Sequence, residues 1–218
     1  AEEQNIFQLA LLAAPRMKLA ALLHDIGKPA TFTRDGKGHI HFYGHPQAGV
    51  PLALQVMRRL SASTQDQRLV QQVTTHHMRP GQLAQMGTVT PRAIRRYFVD
   101  LGPTGIAVAL LSLADHLATR GPLLGHQLSS ADDKEILHSW EQHVAGVSLL
   151  LTRYIRQRES ILPPRLVSAE DLMHRFNLKP GPTVGQLLEA LAEAQADGSV
   201  RSREEALWFA EERLQHRE

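Results

Sequence analysis

The breaks in this chain constrain its fold most, because nearly every segment between them has the pattern of a helix. Proline and glycine interrupt the chain at intervals, and the segments between them are rich in leucine and alanine. Hydrophobic residues make up 43% of the 218 residues but aromatic residues only 5%, so the core must consist mainly of leucine, alanine and valine. This composition favours helices over strands. The sequence therefore predicts an all-α fold.

The break points also predict where the individual elements lie. Helices are expected over residues 4–14, 16–26, 46–60, 64–77, 91–101, 104–119 and 130–159. Pro15 is expected to separate the first two, and Pro80-Gly81 to end the helix over 64–77. The segment from Thr31 to Phe42 differs, because Asp35-Gly36 lies between short runs that alternate in hydrophobicity. That pattern predicts a short β-hairpin in an otherwise helical chain.

A second proline pair, Pro163-Pro164, is the best candidate for a domain boundary. It predicts a helical domain over residues 1–160 and a small helical C-terminal tail over residues 161–218. Three short helices are predicted in the tail from their start signals, which are Ser168 with Asp171, Gly181-Pro182, and Ser202 with Glu205.

Composition excludes several classes of protein. The chain has no cysteine, which removes disulfides and thiolate metal sites from consideration. No apolar run approaches the roughly 20 residues that span a bilayer, and no signal-peptide pattern opens the chain. We therefore expect a cytoplasmic protein that does not enter a membrane.

Arginine outnumbers lysine by 19 to 5, although the net charge is only +2. The arginines cluster in two places, and arginine is better suited than lysine to bidentate contacts with phosphate. The clusters comprise Arg92, Arg95 and Arg96, and Arg153, Arg156 and Arg158. They are either solvated helix faces or contacts to nucleic-acid phosphates, and the composition allows both.

The most informative motif is His24-Asp25-Ile26-Gly27, followed by Lys28-Pro29, at the end of an apolar run. An imidazole and a carboxylate that adjoin at a helix end can bind one divalent metal. A His-Asp pair alone is weak support, but further histidines and an aspartate follow downstream. Asp115 is the most informative of these, because a carboxylate on a nearly all-apolar helix is costly unless it is paired.

Five positions together form a candidate metal site: His24, Asp25, His45, His77 or its neighbour His76, and Asp115. Imidazoles mixed with carboxylates suit Mn, Ni, Co, Fe, Mg or Zn. One or two such ions activate water and neutralise phosphate oxygens, which is the chemistry of phosphoester hydrolysis. Lys28 is placed to hold a phosphate beside them. The alternatives are a buried structural histidine, a carboxylate facing water and a loop lysine.

These residues resemble the HD superfamily of metal-dependent phosphohydrolases. More narrowly, the chain resembles the HD-containing C-terminal half of bacterial tRNA nucleotidyltransferases, the CCA-adding and poly(A)-polymerase-like proteins. The resemblance covers nearly the whole chain and is carried by two stretches. These are Leu19 to Pro29, and a tail that contains Lys179-Pro180-Gly181-Pro182 and Arg203-Glu204-Glu205-Ala206.

The resemblance implies an HD-type helical domain with the hairpin after the dyad, and it assigns roles to residues. His24, Asp25 and Asp115 would hold a metal, and His45 and His77 a second ion or the substrate phosphate. Asp25 and Lys28 are the expected catalytic residues. Candidates for phosphate or RNA binding are Lys28, Arg79, Arg95 and Arg96.

The implied substrates are 2′,3′-cyclic phosphates, 2′-nucleotides or 2′-phosphates, so the expected partner is a nucleotide or an RNA 3′ end, with tRNA among the candidates. The alternative is a non-catalytic tRNA-binding body and tail, whose arginines and Gly181-Pro182 helix start would contact backbone phosphates.

Two departures from the family pattern bear on this choice. No Gly-Ser turn with paired aspartates on a strand occurs, so the chain is not expected to add nucleotides by itself. HD enzymes also supply a histidine from a helix upstream of the dyad. Residues 1–23 contain no histidine, and Leu9 stands in the nearest position, which favours the binding alternative.

Overall fold

The computed structural model describes residues 14–87, 89–124 and 131–215, and this part of the chain is mainly helical. The helices are α1 (Ala14–Leu23), α2 (His45–Arg59), α3 (Thr64–His76), α4 (Arg79–Gln85), α5 (Pro91–Leu101), α6 (Thr104–Leu124), α7 (Ala131–Arg156), α8 (Arg158–Ile161), α9 (Ala169–Phe176), α10 (Pro182–Asp197) and α11 (Arg203–Gln215). A 3₁₀ turn covers Pro29–Thr31. Strands β1 (Thr33–Arg34) and β2 (Ile40–His41) pair antiparallel, with Thr33 opposite His41. The predicted all-α fold with one short hairpin is confirmed.

The chain divides into two compact units. Among the described residues, those up to Val89 and those between Leu101 and Leu151 form the first unit. Thr90–Asp100 and the residues from Thr152 onward form the second. Most of α5 therefore belongs to the unit that contains the tail, a grouping that sequence order alone does not suggest. The division predicted at residues 160 and 161 stays a prediction.

The first unit is built around α3, against which α1, α2 and α6 all pack. Its central residues are small or medium apolar side chains such as Ala53, Met57, Val70 and Val73, each at most 1% exposed. Ser63 caps α3 by accepting a hydrogen bond from the Asp66 backbone N–H at 3.2 Å. Because the core side chains are small, the helices that carry the candidate site residues can approach closely.

The second unit has its own core, in which α10 packs against α9 and α11. Leu172, Leu187 and Leu191 are each at most 3% exposed there. The predicted capping box at the start of α9 is confirmed, since Ser168 and Asp171 each accept a hydrogen bond from the other's backbone N–H.

Two predicted helix boundaries next to the candidate site residues are wrong, and the helix predicted over 104–119 continues to Leu124. Pro80 and Gly81 do not end a helix but lie in the first turn of α4, where the missing proline N–H costs nothing. Helix α1 ends at Leu23 rather than at residue 26, because the backbone N–H of Ile26 bonds to the Leu23 carbonyl in a tighter turn. The dyad therefore lies on a turn and not inside a helix. Pro15 lies in the first turn of α1, and the helix predicted over 4–14 falls outside the described residues except for Ala14.

Among the described residues, no single helix is long and apolar enough to cross a membrane. Two consecutive helical segments, Pro91–Leu101 and Thr104–Thr119, together reach the length and hydrophobicity of a membrane span, but only by length and composition, and the chain bends sharply between them.

Candidate metal centre

The five candidate metal ligands come from four parts of the first unit. His24 and Asp25 lie on the turn after α1, and His45 is the first residue of α2. His77 directly follows α3, and Asp115 lies within α6. Because α1, α2 and α6 all pack on α3, their side chains meet at one place.

A close backbone contact holds the dyad turn against α2. A Cβ atom added to Gly27 would lie 2.1 Å from the His45 carbonyl oxygen and 2.6 Å from the Gly49 nitrogen. No side chain fits at that distance, so only glycine allows the turn to touch the first turn of α2. This contact sets the positions of Asp25 and His45 relative to each other.

The three histidines are oriented in the same way. In each ring the Nδ1 atom donates to the backbone carbonyl three residues earlier: His24 to Ala21 at 2.6 Å, His45 to Phe42 at 2.8 Å and His77 to Thr74 at 2.9 Å. A carbonyl can only accept, so Nδ1 carries the hydrogen in all three rings. Each Nε2 atom is thereby left to bind a proton or a metal, which is the usual arrangement of histidine ligands.

The Nε2 atoms converge on the Asp25 carboxylate. Those of His45 and His77 lie 3.1 Å apart, and they lie 3.2 and 3.5 Å respectively from Asp25 Oδ1. His24 Nε2 lies 3.2 Å from Asp25 Oδ2, on the other side of the carboxylate. Acceptor atoms that face one another at these distances repel unless a cation lies between them.

Asp115 completes the cluster on the side of His24. Its Oδ1 atom lies 3.6 Å from His24 Nε2, and its side chain is 38% exposed. The carboxylate of α6 is therefore paired and opens toward solvent, so neither a purely buried nor a fully solvated role describes it.

Two atoms of the cluster lack the partner that buried polar atoms require. Within the described residues, His24 Nε2 and Asp25 Oδ1 are buried and have no hydrogen-bond partner. Such atoms are rare in folded proteins and indicate a bound ion, water or proton. One ligand atom from each of His24, Asp25 and His77 can be chosen so that all three lie within 4.8 Å of one another.

The charges of the cluster favour a cation. Burial opposes a charged His24 ring, but the Asp115 and Asp25 carboxylates outweigh it and raise the pKa of His24 to about 10. Burial likewise opposes a charged Asp25, yet His24, His77 and Lys28 hold the pKa of this carboxyl well below its ordinary value. His24 also lowers the pKa of Asp115. The carboxylates are thus ionised at neutral pH and attract either a proton or a metal ion.

Lys28 supplies a fixed positive charge at the edge of the cluster. Its ammonium group pairs with Asp25 Oδ2 and lies 5.8 Å from the centre of the Phe42 ring. Its side chain is 39% exposed, so the ammonium group borders the solvent. Arg79 is half-buried in the first turn of α4, two residues after His77.

The remaining predicted phosphate contacts, Arg95 and Arg96, belong to the second unit and are ion-paired there. Arg95 is 5% exposed and donates to Glu189 at 2.9 Å, while Arg96 donates to Glu193 at 3.1 Å. Their role in this structure is to join α5 to α10. Their assignment to RNA stays a prediction.

Sequence reasoning missed the carbonyl groups that orient the three rings. The signal was present, since each carbonyl belongs to the residue three positions before its histidine, at Ala21, Phe42 and Thr74. Leu9, the residue nearest to the expected upstream ligand, lies outside the described residues.

Comparison with known proteins adds an independent line of support. The family model described as HD domain matches residues 6–120. The chain is 33% identical over 201 residues to an A-adding tRNA nucleotidyltransferase of Deinococcus radiodurans, covering 89% of this chain and 41% of that protein. It is 34% identical over 197 residues to a CC-adding tRNA nucleotidyltransferase of Thermus thermophilus, covering 88% of this chain and 38% of that protein.

A CC-adding enzyme of Synechocystis is 26% identical over 166 residues, which cover 76% of this chain and 34% of that enzyme. The chain thus spans well under half the length of each of these curated relatives. No solved structure matches it. The family model covers more than half of the chain, including His24, Asp25, His45, His77 and Asp115. The chain therefore belongs to the HD domain family and is similar to part of the tRNA nucleotidyltransferases.

Proposed function

We propose that the chain is a metal-dependent phosphohydrolase that acts on nucleotide or RNA-end phosphoesters. The observation that carries this proposal is the convergence of three Nε2 atoms on Asp25, with each Nδ1 atom already committed to a backbone carbonyl. With Nδ1 bonded to a carbonyl, each neutral ring offers its Nε2 lone pair toward Asp25, and this is the form of imidazole that binds a metal. Membership of the HD family supports the same chemistry.

The residues present fit one or two divalent ions. A first-row metal binds nitrogen and oxygen at about 2.0–2.2 Å, which separates neighbouring ligand atoms by about 2.8–3.6 Å across octahedral and tetrahedral geometries. The pairs formed by His45, His77 and Asp25 Oδ1 lie inside that range, at 3.1, 3.2 and 3.5 Å. His24, Asp25 Oδ2 and Asp115 form a second set of neighbouring atoms that would hold an ion, with His24 Nε2 at 3.2 Å from Asp25 Oδ2 and 3.6 Å from Asp115 Oδ1.

Such an ion, when bound, lowers the pKa of a coordinated water and neutralises a phosphate oxygen. The protein's own groups supply the charge, the ring orientation and the phosphate contact. Asp25 and Asp115 hold negative charge at the centre, and the three Nδ1–H bonds keep the imidazoles in one orientation. Lys28, half-exposed at the rim, would attract a phosphate and stabilise the negative charge that develops on it.

The substrate class is proposed from the relatives together with the site. The similar proteins are A-adding and CC-adding tRNA nucleotidyltransferases, whose names connect this kind of chain with tRNA and nucleotides. We propose 2′,3′-cyclic phosphates and 2′-phosphates as the esters cleaved. Both carry the phosphate on the ribose, and the partly exposed Lys28 would bind that phosphate.

The direct test is hydrolysis of 2′,3′-cyclic AMP by the purified protein with Mn²⁺, Ni²⁺, Co²⁺ and Mg²⁺ in turn. We expect activity with at least one ion, and a loss of more than about 100-fold in His24→Ala and in Asp25→Asn. His174→Ala is the matched control, because it removes an exposed imidazole from the second unit. Activity that survives both site substitutions would eliminate this mechanism.

A second candidate function is a tRNA-binding module without catalysis. It is favoured by one observation: the similarity to tRNA nucleotidyltransferases continues beyond the HD-matched residues to cover 89% of the chain. Binding of tRNA that weakens steeply as salt is raised, in a protein free of metal, would support it. Elemental analysis separates the candidates, since a stoichiometric transition metal favours the hydrolase and none after metal soaking favours the module.

A further inference from the structure

An exposed aromatic pair lies at the end of the β-hairpin, and the metal centre does not use it. The rings of His41 and Tyr43 are nearly parallel, with an interplanar angle of 12° and 5.0 Å between their centroids. Tyr43 is 77% exposed, although aromatic side chains usually bury most of their surface. Stacking on His41 covers one face of the phenol ring and leaves the other to solvent.

Hydrogen bonds fix His41, the ring on which Tyr43 stacks. Asp35 Oδ2 lies 3.2 Å from His41 Nε2, and Asp35 Oδ1 accepts hydrogen bonds from the backbone N–H groups of Lys37 and His39 at 2.9 Å each. Thr33 also donates from its hydroxyl to the His41 carbonyl at 3.3 Å. The hairpin therefore presents Tyr43 on a fixed support, so that a ligand would lose little free energy to ordering the platform.

The pair adjoins the metal centre through the residue between its members. Phe42 supplies the carbonyl that orients His45, at 2.8 Å, and its ring lies 5.8 Å from the Lys28 ammonium. Tyr43 is thus the direct neighbour of a residue that touches both a candidate ligand and the candidate phosphate contact. Because consecutive Cα atoms lie about 3.8 Å apart, the Tyr43 backbone starts beside the residue whose ring faces Lys28.

The dimensions decide where a ligand ring would stack. Inserting a flat ring between two others needs centroids about 7 Å apart, twice the stacking distance of roughly 3.5 Å. The His41 and Tyr43 centroids lie 5.0 Å apart, so no third ring fits between them. A ligand ring must therefore stack on the outer face of Tyr43. Base stacking on an aromatic side chain tolerates every base, because each has a π-face.

We propose that Tyr43, supported by His41, is a stacking platform for the nucleobase of the substrate, and that the site therefore selects nucleotides and RNA ends over phosphate esters that lack a base. This inference rests on the proposed phosphohydrolase function and deepens it. Tyr43 acts here as a specificity-determining residue, since it would touch the base and no reacting atom.

The test compares two substrates that differ only in the base, 2′,3′-cyclic AMP and the 2,3-cyclic phosphate of methyl riboside. In Tyr43→Ala and Tyr43→Leu we expect the ratio of their kcat/KM values to fall about tenfold, mainly through KM for the nucleotide. Tyr43→Phe keeps the ring and should restore the preference. Trp208→Ala removes an exposed aromatic ring of the second unit and should leave the ratio at its wild-type value. An unchanged ratio of the two kcat/KM values in Tyr43→Ala would overturn the proposed stacking role of Tyr43.

A second measurement separates failure of the platform from failure of the proposed function. Calorimetric titration with 2′-AMP, and with ribose 2-phosphate as the probe without a base, reads binding without catalysis. If the wild type hydrolyses neither ester but 2′-AMP binding weakens about tenfold in Tyr43→Ala, the hydrolase fails and the platform stands. If both probes bind equally well to the wild type, the platform fails whether or not hydrolysis occurs.

Discussion

At the scale of single residues, the site depends on atoms whose roles are set by their immediate neighbours. Each histidine has its Nδ1–H bound to a carbonyl, so the Nε2 atoms of His24, His45 and His77 are left to face Asp25. Gly27 serves the same site without any side chain, because its backbone touches the first turn of α2. A motif that is read for its His and Asp thus includes a glycine for reasons of space.

Gly27→Ala is expected to destabilise the first unit by about 2–3 kcal/mol, because the new Cβ would lie 2.1 Å from the His45 carbonyl oxygen. Urea unfolding monitored by Trp140 fluorescence, in a Trp208→Phe background, measures the free energy of unfolding of this unit. Gly36→Ala is the matched control, since nothing lies within 4 Å of a Cβ there. A loss below about 0.5 kcal/mol in Gly27→Ala would mean that the turn does not press on α2.

At the scale of elements, helix ends and their caps account for the tail. Helix α9 begins at the Ser168–Asp171 capping box. Helix α10 is capped at its C-terminus by Gly198, whose φ of 82° is the left-handed conformation that glycine adopts freely. Asp171 also pairs with Arg203 of α11 at 2.6 Å, so the cap of one helix is tied to the start of another. The cap itself can be predicted from the sequence, because Ser168 and Asp171 are three residues apart, whereas the pairing of Asp171 with Arg203 spans 32 residues and cannot.

Substitutions at two helix positions of the second unit should have opposite signs. Ser168→Ala removes the cap of α9 and is expected to cost about 1 kcal/mol. Gly185→Ala, in α10, meets nothing within 4 Å and is expected to stabilise by about 0.5–1 kcal/mol. Denaturant unfolding followed by Trp208 fluorescence in a Trp140→Phe background reports both. Equal effects of the two substitutions would contradict the assigned cap.

The stability of the tail should fall in acid through Asp171. Hydrogen bonds from the Ser168 backbone and from Arg203 lower the pKa of this carboxyl from 3.8 to about 2. The folded-state pKa lies below the unfolded value, so the contribution is fully present above pH 3.8 and is lost as pH falls through about 2. Unfolding midpoints measured from pH 5 to pH 2 should drop less steeply in Asp171→Asn than in the wild type. Parallel curves would show that another carboxylate governs the acid loss.

At the scale of the whole molecule, each compact unit has its own core and its own polar cluster. The candidate metal centre draws on four parts of the first unit, while Arg92, Arg95 and Arg96 join α5 to α10 in the second. A ligand that binds the centre should therefore stabilise the first unit selectively, since it joins α1, α2, α3 and α6 at one point.

Metal should raise the stability of the first unit by mass action. At 100 times the dissociation constant the expected gain is about 2.7 kcal/mol, seen as a higher unfolding midpoint by Trp140 fluorescence. Asp25→Asn should abolish the gain, and chelation should reverse it in the wild type. The midpoint of the second unit, read by Trp208, serves as the internal reference. A gain that persists in Asp25→Asn would place the ion elsewhere.

The comparison of sequence and structure separates short-range from long-range physics. The helices, the hairpin and the Ser168–Asp171 cap were predictable, because apolar periodicity and hydrogen bonds between residues at most eight apart determine them. The Pro80 prediction failed because a proline that ends one helix is also a suitable first-turn residue for the next. Local rules cannot choose between these two roles.

The sequence by itself determined that the chain is helical, and it identified His24, Asp25, His45, His77 and Asp115 as candidates. Only the tertiary structure decided that these side chains approach one another, that Arg95 is buried against Glu189, and that His41 supports Tyr43. The physical reason is distance along the chain. Residues 24 and 115 meet because α1 and α6 both pack on α3, and this packing is a sum of many small apolar contacts that no single motif records.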